Sequence, residues 1–310
     1  MTTALALHDS IDSDAQDERR SLERALAGRY RLVELISRGG MGSVWRGWES
    51  GLERSVAIKM LAANRALDAD ERGRFRREGR ILASLSHRNI VSVHGLGESQ
   101  DACWLALPYY PGGTLAARLQ REPRIPLAEA RTILIALADA LATAHARGVI
   151  HRDIKAENIL IDERREPVLA DFGVAILKTS EASRAEIVKS YGTPAYMAPE
   201  QFRGDLACDG RLDVYALGVL GFRMLSGRFP FEGSDEQIAA AHLTKFVPPL
   251  EAHVAEVPKD VAHVIDRCLE REPRRRWAGA AELRDALKQT VSAAPRFWSR
   301  LGRGRRAHND

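Results

Sequence analysis

Asp153, Lys155, Asn158 and Asp171 fall within one short stretch, and together they could do chemistry on a phosphate ester. An aspartate can orient a hydroxyl and take its proton. A lysine two residues on can neutralise charge on a phosphoryl group. Asn158 and Asp171 are hard oxygen ligands of the kind a divalent cation such as Mg²⁺ prefers. Upstream, Lys59 lies between Ile58 and Met60 in an apolar run, where a lone buried ammonium is costly and needs a carboxylate partner. Further upstream is Ile36-Ser37-Arg38-Gly39-Gly40-Met41-Gly42-Ser43-Val44. Its glycines allow backbone N–H groups to approach phosphates, and they equally suit a plain hairpin.

Elements that could position these groups are legible in the periodicity. Apolar alternation predicts strands over Tyr30–Ile36, Ser43–Trp48 and Ser55–Leu61, with shorter ones near Val91–His94 and Cys103–Leu107. Helical spacing runs over Asp68–Leu85, Leu127–Ala146 with Gly148 as its stop, Leu212–Leu225, Lys259–Leu269 and Ala280–Leu287. Pro108–Gly113 reads as a linker. The fold class is α+β: a small five-stranded β lobe with one main helix, then a larger helical lobe, with a cleft between them. Residues 1–28 read as a polar, flexible arm ending in a short helix near Leu22–Leu26, with ordered structure starting at Tyr30. Residues 29–290 form the domain, divided near 108/109, and 291–310 a basic tail.

Bulk properties exclude several classes. Hydrophobic residues make up 45% of the 310, enough for a core. Cys103, Cys208 and Cys268 are far apart and form no CxxC pair, which argues against disulfides or a zinc site and fits a reducing cytoplasm. No apolar run is long enough to span a membrane, and the N-terminus lacks a signal-peptide pattern. A net charge of +4 is too weak to imply nucleic-acid binding. The tail interleaves arginines with Phe297 and Trp298, open to two readings: a solvated tail or a membrane-surface contact. His87 and His145 have no ligand-like partners in sequence and are assigned no metal.

The ordered set Gly39/Gly40/Gly42, Val56-Ala57-Ile58-Lys59, His151-Arg152-Asp153-Ile154-Lys155-Ala156-Glu157-Asn158, Asp171-Phe172-Gly173 and Ala198-Pro199-Glu200 resembles the eukaryotic-like (Hanks-type) serine/threonine protein kinase family. The resemblance covers about Tyr30 to Thr290, and the short arm and Ala/Arg-rich composition suggest a bacterial member. It implies a bilobal kinase fold and transfer of the γ-phosphoryl group of ATP, with Mg²⁺ or Mn²⁺, to Ser/Thr hydroxyls of proteins, including the chain's own. It also implies roles. Asp153, Lys155, Asn158 and Thr193 serve catalysis, with Thr193 bridging Asp153 and Lys155. Ile36, Ser37, Gly39, Gly40, Gly42, Val44, Ala57, Lys59, Glu78, Tyr109 and Leu160 line the nucleotide site, with Glu78 holding Lys59. Asn158 and Asp171 ligate the metal. Ser37 replaces the family's first glycine, and Ala156 a frequent proline. Lys155 and the Gly192-Thr193-Pro194 segment point to Ser/Thr acceptors. Glu200 would pair with Arg276, and Asp213 would anchor the catalytic loop. Leu82, Val93, His151 and Phe172 would join the lobes.

Two further expectations follow. Arg152 before Asp153 implies an anion ordering the activation segment, 174–197. The positions relatives phosphorylate fall on Ile187 and Lys189, so Glu186 is the candidate stand-in, with Ser183 and Ser190 as modulatory sites. Glu157 matches a position that contacts substrate arginine, but Arg223 replaces its usual carboxylate partner. Glu157 and Arg223 are therefore expected to pair, which would weaken that selection. Two rival classes remain. A non-catalytic pseudokinase scaffold usually lacks Lys59, Asp153 or Asp171. A small-molecule phosphotransferase of related fold usually lacks the Gly-Thr-Pro and Ala-Pro-Glu segments.

Overall fold

The structure is a computed structural model, which describes residues 19–20, 22–26, 28–40, 42–99, 102–172, 194–204 and 209–290. Strands β1 (Tyr30–Gly39), β2 (Gly42–Glu49), β3 (Arg54–Leu61), β4 (Gly95–Glu98) and β5 (Cys103–Pro108) form one antiparallel sheet in the order β1-β2-β3-β5-β4. Helix α1 (Ala69–Ser84) packs on one face. Its N-terminus is capped by Asp68, whose carboxylate accepts from the backbone N–H of Asp70 and Glu71.

Alternation along β3 divides the sheet's two faces. Ala57, Lys59 and Leu61 look toward α1 and the lobe junction, where Leu82, Leu105 and Leu107 are buried. Val56, Ile58 and Met60 look the other way, into a second cluster with Trp45 and Trp104. That outer cluster corrects the expected start of order at Tyr30. Residues 22–25 are helical, and Leu22 and Leu26 are 0% and 1% exposed within it. The segment looked like an arm because it is mostly polar. Two leucines one turn apart suffice to dock it, each burial being worth about 1.5–3 kcal/mol.

The fourth strand is also shifted from Val91–His94 to Gly95–Glu98. Apolar Ile90 and Val91 are drawn into the junction instead, where Val91 N–H donates to Leu169 O at 2.9 Å. At Gly97 the strand needs a bare backbone, because Trp104 lies over it. A Cβ on Gly97 would lie 2.1 Å from the indole.

The helical lobe follows. Helix α2 (Leu115–Arg121) and the short strands β6 (Ile159–Ile161) and β7 (Pro167–Leu169) lie next to the linker. Its centre is made by α3 (Leu127–His145) and α5 (Arg211–Ser226), with nearly all of α5 buried. Around them pack α4 (Pro199–Arg203), α6 (Asp235–Thr244), α7 (Lys259–Cys268) and α8 (Ala280–Gln289). Gly148 takes the left-handed turn, at φ 74°, just beyond α3.

Candidate active site

The β1–β2 turn sits over the cleft. Gly42 has φ 150°, and a Cβ there would fall 1.8 Å from Met60 O, so glycine is required where the turn crosses β3. Nothing lies within 4 Å of where Cβ atoms of Gly39 and Gly40 would be, which leaves open space beside the backbone. Ser37 and Val44 face each other across the hairpin, and Ile36 lies at a register shift, 47% exposed. Val44 pairs with Lys59, and Ala57 with Leu107, so all four lie on the cleft face. Leu160 packs into the core beneath, bridged to Thr114, the N-cap of α2. Tyr109 is covered by the Arg46 guanidinium, 5.1 Å from its ring centroid, and Arg46 is held by Glu34 at 3.1 Å.

Lys59 Nζ donates to Glu78 Oε1 and to Asp171 Oδ1, both at 2.8 Å. Burial alone would push the Lys59 pKa down, but the two carboxylates raise it well above its ordinary range, so the ammonium stays charged. Lys59 holds the Asp171 carboxyl below its usual range. Burial raises that of Glu78 against the pull of Lys59. The Asp171 side chain is 46% exposed, and Oδ1 is the oxygen that Lys59 binds.

The catalytic-loop candidates gather around Asp153. Its Oδ2 meets Lys155 Nζ at 2.7 Å and accepts from Asn158 Nδ2 at 2.9 Å, which leaves Oδ1 for an acceptor hydroxyl. Asn158 also donates to Asp153 O at 2.9 Å, so its side-chain carbonyl is the atom able to face a cation. The loop is held from below by buried Asp213, which accepts from His151 N and Arg152 N at 2.9 and 2.8 Å and from His145 at 2.8 Å. That bond is the partner of His145 that its sequence neighbourhood did not reveal.

Arg152 and Asp171 adopt φ of 68° and 55°, left-handed conformations that cost a non-glycine residue energy and persist because neighbours fix them. His151 lies against Phe172 with ring centroids 4.5 Å apart. Asp153 N–H donates to its Nδ1, so Nε2 carries the proton and donates to Ala170 O at 3.0 Å. Burial lowers its pKa and keeps the ring neutral.

Glu200 and Arg276 form a buried bidentate pair at 2.6 and 2.8 Å. Gln201 was missed in sequence. Its side chain donates to Arg152 O at 3.1 Å and accepts from Ala198 N at 3.0 Å, tying α4 to the loop. Its one signal was adjacency to Ala198-Pro199-Glu200. The expected Glu157–Arg223 pair is not formed. Arg223 donates to Tyr196 Oη at 3.1 Å and stacks on Phe229 at 4.2 Å, while Glu157 is exposed. A buried aromatic pocket offers the guanidinium both a face and an acceptor, and it prevails over a solvated carboxylate. Only the pairing is corrected: Arg223 still stands where a second carboxylate would be, the substitution from which weak selection for substrate arginine is expected. Thr193, Glu186, Ser183, Ser190, Ile187 and Lys189, like the basic tail, lie outside the described residues.

His87 bonds Asp139 at 3.3 Å, and no group of three or more His, Cys, Asp or Glu able to hold a metal occurs among the described residues. Asn158 and Asp171 remain the hard oxygen donors facing the cleft.

The protein kinase domain model matches residues 30–290. Serine/threonine-protein kinase PrkC of Bacillus subtilis (strain 168) is 35% identical over 272 residues, covering 87% of this chain and 42% of that protein. PknA of Mycobacterium tuberculosis is 37% identical over 269 residues, covering 84% and 61%. The chain thus spans only part of the length of these relatives. The crystal structure of a point mutant of the Mycobacterium tuberculosis PknI kinase domain superposes with a TM-score of 0.65 at 28% identity, over 84% of this chain and 95% of that one. With a five-stranded sheet, a helical lobe and this family match, the chain belongs to the protein kinase family, and the relatives it resembles are bacterial serine/threonine-protein kinases.

Proposed function

We propose that this chain transfers the γ-phosphoryl group of ATP to Ser or Thr hydroxyls of proteins, itself included, in the cytoplasm. The observation that carries the reading is the Lys59–Glu78–Asp171 cluster, 2.8 Å at each contact, facing the Asp153–Lys155–Asn158 set across the cleft. Val44, Ala57, Tyr109 and Leu160 offer the base an apolar slot. Gly39, Gly40 and Gly42, with Ile36 and Ser37 beside them, leave the backbone close to the phosphates. Lys59, kept charged and aimed by Glu78, holds the α- and β-phosphates.

Asp153 orients the acceptor hydroxyl through Oδ1 and takes its proton. Lys155 neutralises charge on the group in flight. Asn158 and Asp171 would hold Mg²⁺, or Mn²⁺ in its place, and the ion when bound screens the phosphate oxygens. Thr193 is the candidate bridge between Asp153 and Lys155. The unpaired, buried Cys103 and Cys268 fit a reducing compartment. No helix among the described residues is long and apolar enough to cross a membrane.

The test is label transfer from γ-labelled ATP with Mg²⁺ to the chain itself and to a generic basic protein. Wild type should label both, and Asp153→Asn neither. Equal labelling by the two proteins would refute the assignment, and binding of ATP without transfer would favour the scaffold reading.

A further inference from the structure

The family match begins at residue 30, yet the small lobe's core begins at Leu22. Leu22 and Leu26, at 0% and 1% exposure, share one buried cluster with Trp45, Ile58, Met60 and Trp104. Ile58 and Met60 flank Lys59 in β3, and their side chains leave the strand on the face opposite Lys59. Met60 also carries the carbonyl against which Gly42 is pressed. The helical segment therefore backs the part of the sheet that aims Lys59 and seats the glycine turn. Its junction with β1 is fixed too. Arg29 and Arg54 converge on the buried Glu49 carboxylate at 3.2 and 2.8 Å, and Ser50 N–H donates to Arg29 O at 3.3 Å. Burial raises the Glu49 pKa, but Arg54 and Arg29 more than offset it and hold the carboxyl low.

We infer that Leu22 and Leu26 are positioning residues for nucleotide binding: they hold β3 from behind so that Lys59 meets Glu78 and the ATP phosphates. The inference rests on the kinase reading for its kinetic consequence and on nucleotide binding alone for its direct one. Without the two leucines the outer cluster loses its lid, and water reaches the back of β3. Lys59 is then aimed over a wider range. Peptide docking, which belongs to the helical lobe, is untouched.

The experiment uses the full chain carrying Leu22→Ala/Leu26→Ala, with Leu22→Met/Leu26→Met as the conservative pair. Binding of a non-hydrolysable ATP analogue is read by tryptophan fluorescence. Steady-state transfer is read against both ATP and peptide, well below the melting temperature and normalised to folded protein. The alanine pair should lose about 10- to 100-fold in kcat/KM for ATP, the scale on which small misplacements act. Analogue binding should weaken with it, while the KM for peptide stays unchanged. The methionine pair should restore wild-type values. If the alanine pair does not fold, Leu22→Val/Leu26→Val is read by the same parameters. A folded variant that matches wild type in analogue affinity and kcat/KM overturns the inference, as does a loss that tracks only the unfolded fraction. A wild-type chain that binds the analogue but transfers nothing overturns the kinase reading and leaves the binding comparison to decide this one.

Discussion

Two clusters of opposite charge sit in this molecule, and they are finished to different degrees. Arg276 has five N–H donors, and its three nitrogens make five bonds: two to Glu200 and one each to the carbonyls of Glu270, Arg211 and Arg271. Neither partner reaches solvent, at 0% and 6% side-chain exposure. Lys59 has three donors and makes bonds to Glu78 and Asp171, and Asp171 stays 46% exposed. One cluster is saturated and can only hold. The other keeps spare hydrogen-bond capacity on a partly exposed carboxylate, which a ligand can complete. The difference separates a brace from a site by hydrogen-bond capacity rather than by charge.

The largest effect expected from breaking this contrast is on the open side. Lys59→Met should lower kcat/KM for ATP by about 10²–10³-fold, the usual cost of deleting one preorganised charge donor. The loss should persist when the rate is expressed per folded molecule, and activity retained in the folded variant would erase the distinction. On the closed side, Arg276→Met should leave Glu200 buried without a partner and cost about 3–5 kcal/mol in urea unfolding. Transfer per folded molecule should change little, because α4 touches the catalytic loop through Gln201 rather than through Arg276.

A third test moves away from ion pairs. His242 is buried against Tyr215 Oη at 2.7 Å, and burial depresses its pKa from 6.5 to about 4. Between those values the unfolded chain binds the proton more readily than the folded one. Stability should therefore rise as pH climbs through that window, by about 3 kcal/mol from this group. His151, depressed by burial as well, adds in the same direction. Urea midpoints from pH 4 to 7 should show the slope, and His242→Gln should flatten it. The smallest effect concerns Tyr196, which joins Arg223 to the region beside the catalytic loop. Tyr196→Phe should cost about 1 kcal/mol in unfolding free energy, the net worth of one hydrogen bond.

Much of the site was legible because its residues are tied to fixed spacing. Lys59 in an apolar run needed a carboxylate, and the family resemblance named Glu78 as that partner. Asp153, Lys155 and Asn158 lie so close in sequence that a single tight loop brings them together. The lobes were legible because period-2 and period-3.6 patterns change near residue 108. What stayed hidden was decided by packing. Leu22 and Leu26 are two apolar residues in a polar stretch, and only the outer cluster with Trp45 and Trp104 gives them a partner. Arg223 was matched to Glu157 by charge, whereas Tyr196 and Phe229 offered a better-shaped pocket. Gln201 and His145 contact the catalytic loop and Asp213 through bonds between residues distant in sequence.

The most direct test makes the same chemical change in both places, carboxylate to amide, and reads rate and stability side by side. Asp153→Asn should lower phosphoryl transfer by about 10²–10⁴-fold, the range for a positioned general base, with unfolding free energy near wild type. Glu200→Gln should do the reverse, lowering unfolding free energy by about 3–5 kcal/mol while folded molecules transfer phosphate at a rate near wild type. If both substitutions move rate and stability together, or if Asp153→Asn leaves the rate intact, the separation of site from brace is wrong.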